Sequence, residues 1–512
     1  MLSLSFSAGM LGIEGYVVRV EADSAPGSPN FTIIGLPDRA LGEARERVRA
    51  AVVNSGFAFP PGRLLVNLSP ADVRKEGPAF DLAIALSLMA IDEQLDRLGL
   101  QDYIALGELA LDGSLRGVQG ILPMVLGARN AGFNKIIVPE RNAREAALVD
   151  GIELYAVDSL QSAVAVALGH GAKWRERTSV PEIVVPTESI YGDLADVRGQ
   201  LAAKRGLEIA AAGGHNLLFV GPPGCGKTML ARRLPSILPP MTAAEALEVT
   251  KIYSVAGFLG TECSRVSTRP FRSPHHTISQ VALVGGGSNA RPGEISLAHN
   301  GVLFLDELVE FSRSAIEVMR QPLEEGTVTI SRAAGTFTYP AAFQLVASMN
   351  PCPCGYRGTR SVDCRCDDGT VARYVGKLSG PLLDRIDLQI EIARVAFDDM
   401  VRREGAERSE IIRGRVLAAR QTQATRFGDS AIACNAEIPP SAMRRYCELD
   451  DHALRLLAQA GAKRQFSARA LDRIVRVART IADLAGSQNI ASDHVAEAIQ
   501  YRSLERLGHR AA

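Results

Sequence analysis

The chain has 512 residues, a length typical of about three domains. Its 57 Lys and Arg residues balance 57 Asp and Glu residues, which excludes a globally positive surface, so any contact with a polyanion must come from a local patch. The longest nearly apolar run, residues 82–91, is about half as long as a membrane-spanning helix, and the N-terminus lacks the basic segment of a secretory signal. We therefore expect a cytoplasmic protein with no membrane partner.

Residues 1–170 are predicted to form an α/β or α+β domain, because short strand-like runs alternate there with helical periodicity. The strands are expected at residues 16–21, 31–34, 63–67 and 135–138, and the helices at 41–54, 80–89 and 122–131. Residues 171–190 form a polar stretch with prolines and no clear period, which is typical of a linker.

A glycine-rich loop follows a short apolar strand, residues 217–220, and precedes a helical segment. This order is typical of a parallel-sheet nucleotide-binding domain, which we place at residues 191–395. The loop and the helix start consist of Gly221, Pro222, Pro223, Gly224, Cys225, Gly226, Lys227 and Thr228. Backbone N–H groups of such a loop bind phosphates, Lys227 reaches the β and γ phosphates, and Thr228 ligates Mg²⁺. Cys225 is expected to contribute its backbone alone.

Two acidic residues supply the groups that hydrolysis of the bound nucleotide requires. Asp306 and Glu307 follow an apolar run, residues 301–305, and are predicted to ligate the metal and to activate water, respectively. Alone, such a pair is as often a solvated strand end, but the phosphate loop favours the catalytic interpretation. A further strand, residues 343–347, leads to Asn350, whose amide can orient the attacking water; the alternative is a turn residue.

Two arginines are candidates for stabilising the transition state. Arg385 follows a glycine-proline break and is a candidate arginine finger facing a neighbouring subunit's γ-phosphate. Arg469 opens a helix in the C-terminal part and is a candidate sensor of the same phosphate. From spacing alone, surface salt bridges are the simpler interpretation of both. The other arginines of residues 468–485 are predicted to lie on a solvated or subunit-facing surface.

Several segments resemble a known family. They are the phosphate loop and residues 286–308, 320–324, 350–355 and 378–387, which are similar to those of magnesium-chelatase-like AAA+ ATPases. Within that family, the whole chain resembles the ComM (YifB-type) group of bacterial proteins, whose N-terminal domain is similar in fold to the proteolytic domain of Lon.

The resemblance implies an α/β multidomain architecture. Residues 1–170 would have the Lon-protease-like (ribosomal S5 domain 2-like) fold, 191–395 would be a P-loop AAA+ parallel-sheet domain with hairpin inserts, and 396–512 would be a helical lid. Lid helices are expected at residues 409–425, 452–462, 468–485 and 492–504, from their helical period.

The resemblance also implies a function and assigns roles to residues. It implies a homo-hexameric, ATP- and Mg²⁺-dependent DNA helicase that drives branch migration of DNA during natural transformation. Asp306 and Glu307 would serve hydrolysis, as the residues themselves predict. Asn350 would be the first sensor, Arg385 the finger and Arg469 the second sensor.

The N-terminal domain is predicted to lack peptidase activity. The Lon-type fold uses a Ser/Lys dyad with the serine after a Gly-Pro step, whereas Ala79 follows Gly77 and Pro78 here. The segment that would carry the lysine, residues 120–126, contains none. Lys75 lies nearby in sequence and is predicted to be a surface charge.

Contacts with single-stranded or branched DNA are predicted at two inserts. Residues 327–342 have the pattern of a β-hairpin with Arg332 near its turn, and residues 273–296 form a glycine-rich insert that contains Arg291. A ring repeats each arginine in every subunit, so a neutral chain still presents a positive central pore to phosphates. Ordinary surface hairpins are the alternative. In residues 273–277, His275 and His276 are expected to point to opposite sides, which disfavours a metal site.

Four of the eight cysteines lie in one short loop, residues 352–366. They are Cys352, Cys354, Cys364 and Cys366. Four thiolates suit tetrahedral Zn²⁺, and clustering in a reducing compartment favours metal over disulfides. Unligated thiols are the alternative.

The main alternative function is that of a chelatase-like motor, which remodels a protein partner or assists metal insertion into a tetrapyrrole. The Lon-like N-terminal domain favours the DNA translocase. A nucleotide-gated adaptor without translocation is disfavoured, because Asp306, Glu307 and Arg385 are all present.

Overall fold

The computed structural model describes residues 2–175, 190–259, 265–287, 290–332, 335–359, 362–395 and 406–502. The predicted linker falls largely on residues 176–189, and the start of the predicted lid falls on 396–405; both stretches lie outside the described residues. The predicted mixed α/β architecture is confirmed, whereas the domain boundaries stay predictions. None of the helices in the described ranges is long and apolar enough to cross a membrane.

The strands are β1 (Leu2–Leu11), β2 (Glu14–Ala25), β3 (Asn30–Ile34), β4 (Arg63–Ser69), β5 (Tyr103–Ala105), β6 (Glu108–Leu109), β7 (Leu115–Arg116), β8 (Lys135–Pro139), β9 (Glu153–Val157), β10 (Leu217–Val220), β11 (Phe271–Arg272), β12 (Gly285–Gly286), β13 (Arg291–Pro292), β14 (Val302–Leu305), β15 (Thr327–Arg332), β16 (Gly335–Pro340), β17 (Gln344–Met349) and β18 (Leu388–Glu391).

The helices are α1 (Arg39–Gly42), α2 (Ala44–Asn54), α3 (Asp81–Ile91), α4 (Ile121–Asn130), α5 (Ala143–Ala146), α6 (Leu160–Ala167), α7 (Leu201–Gly213), α8 (Lys227–Ile237), α9 (Ala243–Ala256), α10 (Gln280–Val284), α11 (Glu294–Leu297), α12 (Arg313–Glu317), α13 (Pro322–Glu325), α14 (Asp368–Val375), α15 (Gly380–Leu383), α16 (Ser409–Phe427), α17 (Met443–Tyr446), α18 (Asp451–Arg464), α19 (Ala468–Leu484) and α20 (Ser492–Gln500).

The N-terminal part is built on a seven-stranded mixed sheet in the order β3-β4-β2-β1-β5-β8-β9. Every residue of α3 is buried, since this nearly continuous apolar helix packs against β1 and β2. Strand β1 was not predicted, because its alternation places serines on the buried face. Ser5 and Ser7 are 1% and 0% exposed and donate to the carbonyl oxygens of Ala83 at 2.9 Å and Ala105 at 2.8 Å.

The prediction that Lys75 is a surface charge is wrong. Its side chain is 0% exposed, and Nζ donates to the Val73 carbonyl oxygen at 2.8 Å. Burial lowers the pKa of the Lys75 amine. Ala79 is also buried and offers no nucleophile.

A second sheet of five parallel strands has the order β11-β14-β17-β10-β18. Its central strands β10, β14 and β17 are buried throughout, as expected for strands covered on both faces. Because the strands are parallel, the residues that follow β10, β14 and β17 meet at the carboxyl edge of the sheet. This edge carries the phosphate loop, Asp306 and Asn350.

A buried polar network occupies the opposite edge of this sheet. Asn216, just before β10, donates through its backbone N to Asp387 Oδ2 at 3.0 Å and through Nδ2 to the Arg385 carbonyl oxygen at 3.0 Å. Its Oδ1 accepts from the backbone N of Leu345 at 2.8 Å. Arg473 of α19 forms an ion pair with Asp387. The network therefore links the start of β10, β17, β18 and a C-terminal helix.

The predicted solvated arginine surface of residues 468–485 is wrong in part. Arg479 is 1% exposed and pairs with Asp483 at 3.0 Å, while Arg473 pairs with buried Asp387. Both arginines are therefore paired within this chain, Arg479 inside α19 and Arg473 with the residue that precedes β18. Helical periodicity shows which residues share a face but not which carboxylates that face meets.

Candidate functional site

The phosphate loop connects β10 to α8, as predicted. Gly224 and Gly226 have φ angles of +73° and +92°, in the left-handed region that glycine adopts without strain. Gly226 is the residue before the first turn of α8. The loop therefore lies at the N-terminus of an 11-residue helix, where free backbone N–H groups and the helix dipole attract phosphate.

Lys227 is folded back over this loop. Its side chain is mostly buried, and Nζ donates to the Gly221 carbonyl oxygen at 2.6 Å, to the Pro222 carbonyl oxygen at 3.0 Å and to Asn350 Oδ1 at 3.0 Å. Burial lowers the pKa of this amine. The contact brings together two predicted site residues, the phosphate-binding lysine and the first sensor.

Thr228 and Asp306, the predicted Mg²⁺ ligands, lie side by side. Thr228 Oγ1 donates to Asp306 Oδ2 at 2.8 Å, and Ser348 Oγ donates to Asp306 Oδ1. A hydroxyl and a carboxylate side by side, next to a phosphate loop, fit the coordination of Mg²⁺ in nucleotide sites. Ser348, which is fully buried near the end of β17, was not predicted as a site residue. The parallel pairing of β14 and β17 places Ser348 beside Asp306.

Glu307 is held at the mouth of the site by an unusual backbone. Its φ is +54°, which is rare for residues with a side chain and concentrates at functional sites. Its backbone N donates to Asp306 Oδ1 at 3.2 Å and to Ser348 Oγ at 3.3 Å. The side chain is 54% exposed, so its carboxylate is accessible to water.

His276 lies beside the predicted base, with Nδ1 3.6 Å from Glu307 Oε2. The prediction that His275 and His276 point to opposite sides is wrong, because their ring centroids are 4.1 Å apart. The segment is not a regular strand at this point, so side chains do not alternate. The contact of His276 with Glu307 was not predicted.

These groups line one open cleft of about 430 Å³. Its lining consists of Pro223, Gly224, Cys225, Gly226, Lys227, Thr228, Met229, Asp306, Glu307, Ser348, Met349 and Asn350. The groups predicted to bind phosphate, to bind metal and to activate water thus converge from three strands. The cleft has the chemistry required for hydrolysis of a nucleoside triphosphate.

The two predicted transition-state arginines do not line this cleft. Arg385 lies at the opposite edge of the sheet, where its carbonyl oxygen accepts from Asn216, and its side chain forms an ion pair with Glu324. Arg469 is exposed in the first turn of α19. The described chain therefore does not bring either guanidinium to its own phosphate loop.

The four clustered cysteines do come together. The Sγ atoms of Cys352, Cys354 and Cys364 are 3.3 to 3.7 Å apart, and all four sulfurs, including that of Cys366, lie within 4.8 Å of one another. The loop also touches the nucleotide site, since a Cβ on Gly355 would lie 2.6 Å from Pro223 Cδ. Residues 360–361 of this loop lie outside the described residues.

The two predicted hairpins pack against each other. Strands β15 and β16 pair from Thr327 with Pro340 to Arg332 with Gly335, and β12 pairs with β13 so that Gly286 faces Arg291. Arg332 Nη2 lies 2.7 Å from the position of a Cβ on Gly286. Arg291 and Arg332 are both exposed, and the contact between the hairpins places them on one surface. Residues 288–289 and 333–334 lie outside the described part.

Three family models match consecutive parts of the chain. The model described as magnesium chelatase, subunit ChlI, matches residues 193–400. A model for subunit ChlI of Mg-chelatase matches residues 20–142, and one for the C-terminal part of the same subunit matches residues 406–502. The matches therefore include part of the seven-stranded sheet, the five-stranded sheet and the C-terminal helices.

Individual proteins are also similar to this chain, and two of them match nearly its whole length. Competence protein ComM of Haemophilus influenzae is 43% identical over 516 residues, which cover 99% of this chain and 98% of the relative. Protein YifB of Escherichia coli is 43% identical over 511 residues, with the same coverage. Lon protease of Chloroflexus aurantiacus is 27% identical over 169 residues, or 30% of this chain and 20% of the protease.

The geometry of the cleft predicts that one mutation abolishes ATP binding, whereas another lowers ATP hydrolysis and leaves binding intact. Lys227→Ala removes the buried ammonium that faces the loop and should abolish ATP binding. Glu307→Gln keeps Asp306 and Thr228, so it should bind ATP normally while turnover falls by about 10²–10⁴-fold, the usual contribution of a general base. Binding of a fluorescent ATP analogue and steady-state ATPase assays measure the two steps.

Glu310→Gln is the matched control, since it changes an acid three residues away that does not line the cleft. It should retain both activities. Turnover by Glu307→Gln at the wild-type rate would show that another group activates water.

Proposed function

This chain belongs to the magnesium chelatase ChlI-related family of AAA+ proteins, in the group that includes competence protein ComM and YifB, and on that premise we propose that it is a Mg²⁺-dependent ATP hydrolase that moves DNA. We further propose that it works as a homo-hexameric helicase that promotes branch migration during recombination in natural transformation. The observation that carries the proposal is the convergence of Lys227, Asp306, Glu307 and Asn350 in one cleft.

The residues of the cleft suggest how each would act. The loop N–H groups and Lys227 bind the phosphates, and ATP would exchange the carbonyl contacts of Lys227 for phosphate oxygens. Thr228 and Asp306 would hold Mg²⁺, which neutralises phosphate charge when bound. Glu307 accepts a proton from the attacking water, and Asn350 orients that water.

Two observations support DNA as the molecule that the proposed motor moves. The arginine surface formed by Arg291 and Arg332 is local positive charge on a chain of zero net charge, and a ring would repeat it around a pore. A relative that covers nearly the whole chain is named a competence protein, which supports a role in natural transformation. A protein-remodelling or metal-inserting motor is the second candidate, favoured by the names of the matching family models.

The position of Arg385 supports a ring. This arginine stands at the edge of the sheet opposite its own phosphate loop, with β10 between them. Four residues of strand span about 13 Å. An arginine finger at this position would therefore serve the cleft of a neighbouring subunit rather than its own.

The DNA proposal predicts that single-stranded or branched DNA stimulates ATP turnover. Arg291→Ala and Arg332→Ala should keep the DNA-free ATPase rate, weaken DNA binding and flatten its dependence on salt concentration, because fewer phosphate contacts release fewer counterions. ATPase assays and DNA-binding titrations at several salt concentrations check this.

Arg19→Ala is the control, because Arg19 is an exposed arginine of β2 outside both hairpins. It should match the wild type in each assay. No stimulation of the wild-type protein by any DNA, together with stimulation by a protein substrate, would favour the second candidate function.

The shared active site predicts complementation between inactive subunits. Arg385→Ala and Lys227→Ala proteins should each be inactive alone, since a finger contributes about 10³–10⁵-fold to turnover. Mixed rings should regain part of the ATPase activity, because some interfaces pair an intact finger with an intact loop. Mixed rings verified by mass spectrometry that stay inactive would contradict a finger acting between subunits.

We also propose that the four clustered cysteines bind Zn²⁺. Their sulfurs converge as four thiolate ligands of tetrahedral zinc do, and the loop joins Asn350 to α14. Zinc would hold this loop against Pro223 and so support the phosphate loop from one side.

Elemental analysis of protein purified without an affinity tag should find about one zinc per chain. Changing Cys364 and Cys366 to serine should remove the zinc and lower the melting temperature. Cys434→Ser, which removes a buried thiol outside the cluster, should keep the zinc. Wild-type protein free of metal, with full stability and ATPase activity, would contradict this site.

A further inference from the structure

The guanidinium of Arg385 is turned toward its own chain. The residue is only 6% exposed. Nη2 forms an ion pair with Glu324, and Nη1 donates to the Pro381 carbonyl oxygen at 2.5 Å. Nε is buried and has no hydrogen-bond partner among the described residues. In this conformation the guanidinium is not presented to another subunit.

The backbone of Arg385, in contrast, is fixed. Its carbonyl oxygen accepts from Asn216 Nδ2 at 3.0 Å and from Arg473 Nη1 at 3.2 Å. Two residues later, Asp387 is 3% exposed and paired with Arg473. Arg385 therefore has an anchored main chain and a side chain whose one charged partner can be exchanged.

The charged partner of Arg385, Glu324, is accessible to solvent and is connected to the β15–β16 hairpin. Glu324 lies on α13, and its side chain is 55% exposed. Gly326, with φ of +64°, ends α13 directly before β15, and its carbonyl oxygen accepts from the backbone N of Ala341 at 2.7 Å. A displacement of the β15–β16 hairpin would therefore be transmitted to Glu324 through both the chain and this hydrogen bond.

We propose that Glu324 is a positioning residue that withholds Arg385 from the neighbouring subunit's ATP until DNA engages the hairpin that carries Arg332. The inference rests on the proposed function and adds a route by which DNA controls turnover. A carboxylate and a γ-phosphate compete for the same guanidinium, because both accept charge-assisted hydrogen bonds from its planar nitrogens. DNA at the hairpin shifts this competition by moving α13.

Glu324→Gln tests the inference, because it keeps the shape of the side chain and removes its charge. The DNA-free ATPase rate should rise about five- to ten-fold, the change expected when one charge-assisted contact no longer competes. The rate at saturating DNA should stay near that of the wild type, so the ratio of stimulation falls. Glu324→Asp should restore most of the low DNA-free rate.

Glu325→Gln is the matched control. Glu325 is the next residue of α13, and its Oε2 accepts from Gln321 Nε2 at 2.8 Å, so the change leaves Arg385 untouched. It should behave as the wild type. A low DNA-free rate restored by Glu324→Asp, together with a wild-type rate in Glu325→Gln, is a pattern that a purely structural role of Glu324 would not predict.

Equal DNA-free rates in Glu324→Gln and Glu325→Gln, with unchanged melting temperatures and ring assembly, would overturn the inference. A fall in the DNA-free rate of Glu324→Gln would also overturn it. The failure of the proposed DNA motor has a different signature, which is a wild-type ATPase rate that no DNA changes. The comparison of the two DNA-free rates decides the role of Glu324 in either case.

Discussion

The parallel direction of the five-stranded sheet is the constraint on which the rest of the structure depends. Parallel strands place all their following residues at one edge, so Lys227, Asp306 and Asn350 meet although they are far apart in sequence. The same direction sends the residues that precede β10 and β18 to the other edge. A residue such as Arg385 is thereby separated from its own cleft, and the proposed arginine finger would serve the cleft of a second subunit.

Each edge satisfies its polar groups in a different way. At the nucleotide edge, Lys227 bonds to loop carbonyl oxygens and to Asn350, contacts that phosphate oxygens can replace. At the opposite edge, burial works against the charge of Asp387, but Arg473 and His215 hold its pKa well below the usual range. Removing one partner of such a buried pair leaves an unpaired charge, which is costly. The contacts of Lys227 at the carboxyl edge can therefore be replaced by contacts with a ligand. The buried ion pair at the opposite edge stabilises one fixed arrangement of the strands.

The N-terminal part contacts the ATPase part near the hairpins. Lys251 of α9 pairs with Glu14 of β2 at 3.1 Å, and Ser254 donates to Glu145 at 2.5 Å. A Cβ on Gly12 would lie 3.4 Å from Phe337 of β16, so the turn after β1 packs on the hairpin that carries Arg332. The N-terminal part is thus placed where it supports that hairpin.

The sequence predicted those features that depend on local spacing. It did not predict features that depend on contacts between residues far apart in sequence. The phosphate loop, Asp306 and the β15–β16 hairpin follow from turn chemistry and periodicity within a few residues. Strand β1 was missed because its buried serines are satisfied by carbonyl groups from other elements. The partner of Arg385 was also missed, because Glu324 is 61 residues away and no local pattern pairs them.

The most direct test of the account is ATP-driven movement of a labelled four-way DNA junction by the full-length chain. The account predicts that the wild-type protein converts the junction to duplex products with ATP and Mg²⁺, whereas Glu307→Gln binds the junction and leaves it in place. A wild-type protein that hydrolyses ATP at full rate on saturating junction DNA without moving it would contradict the central claim.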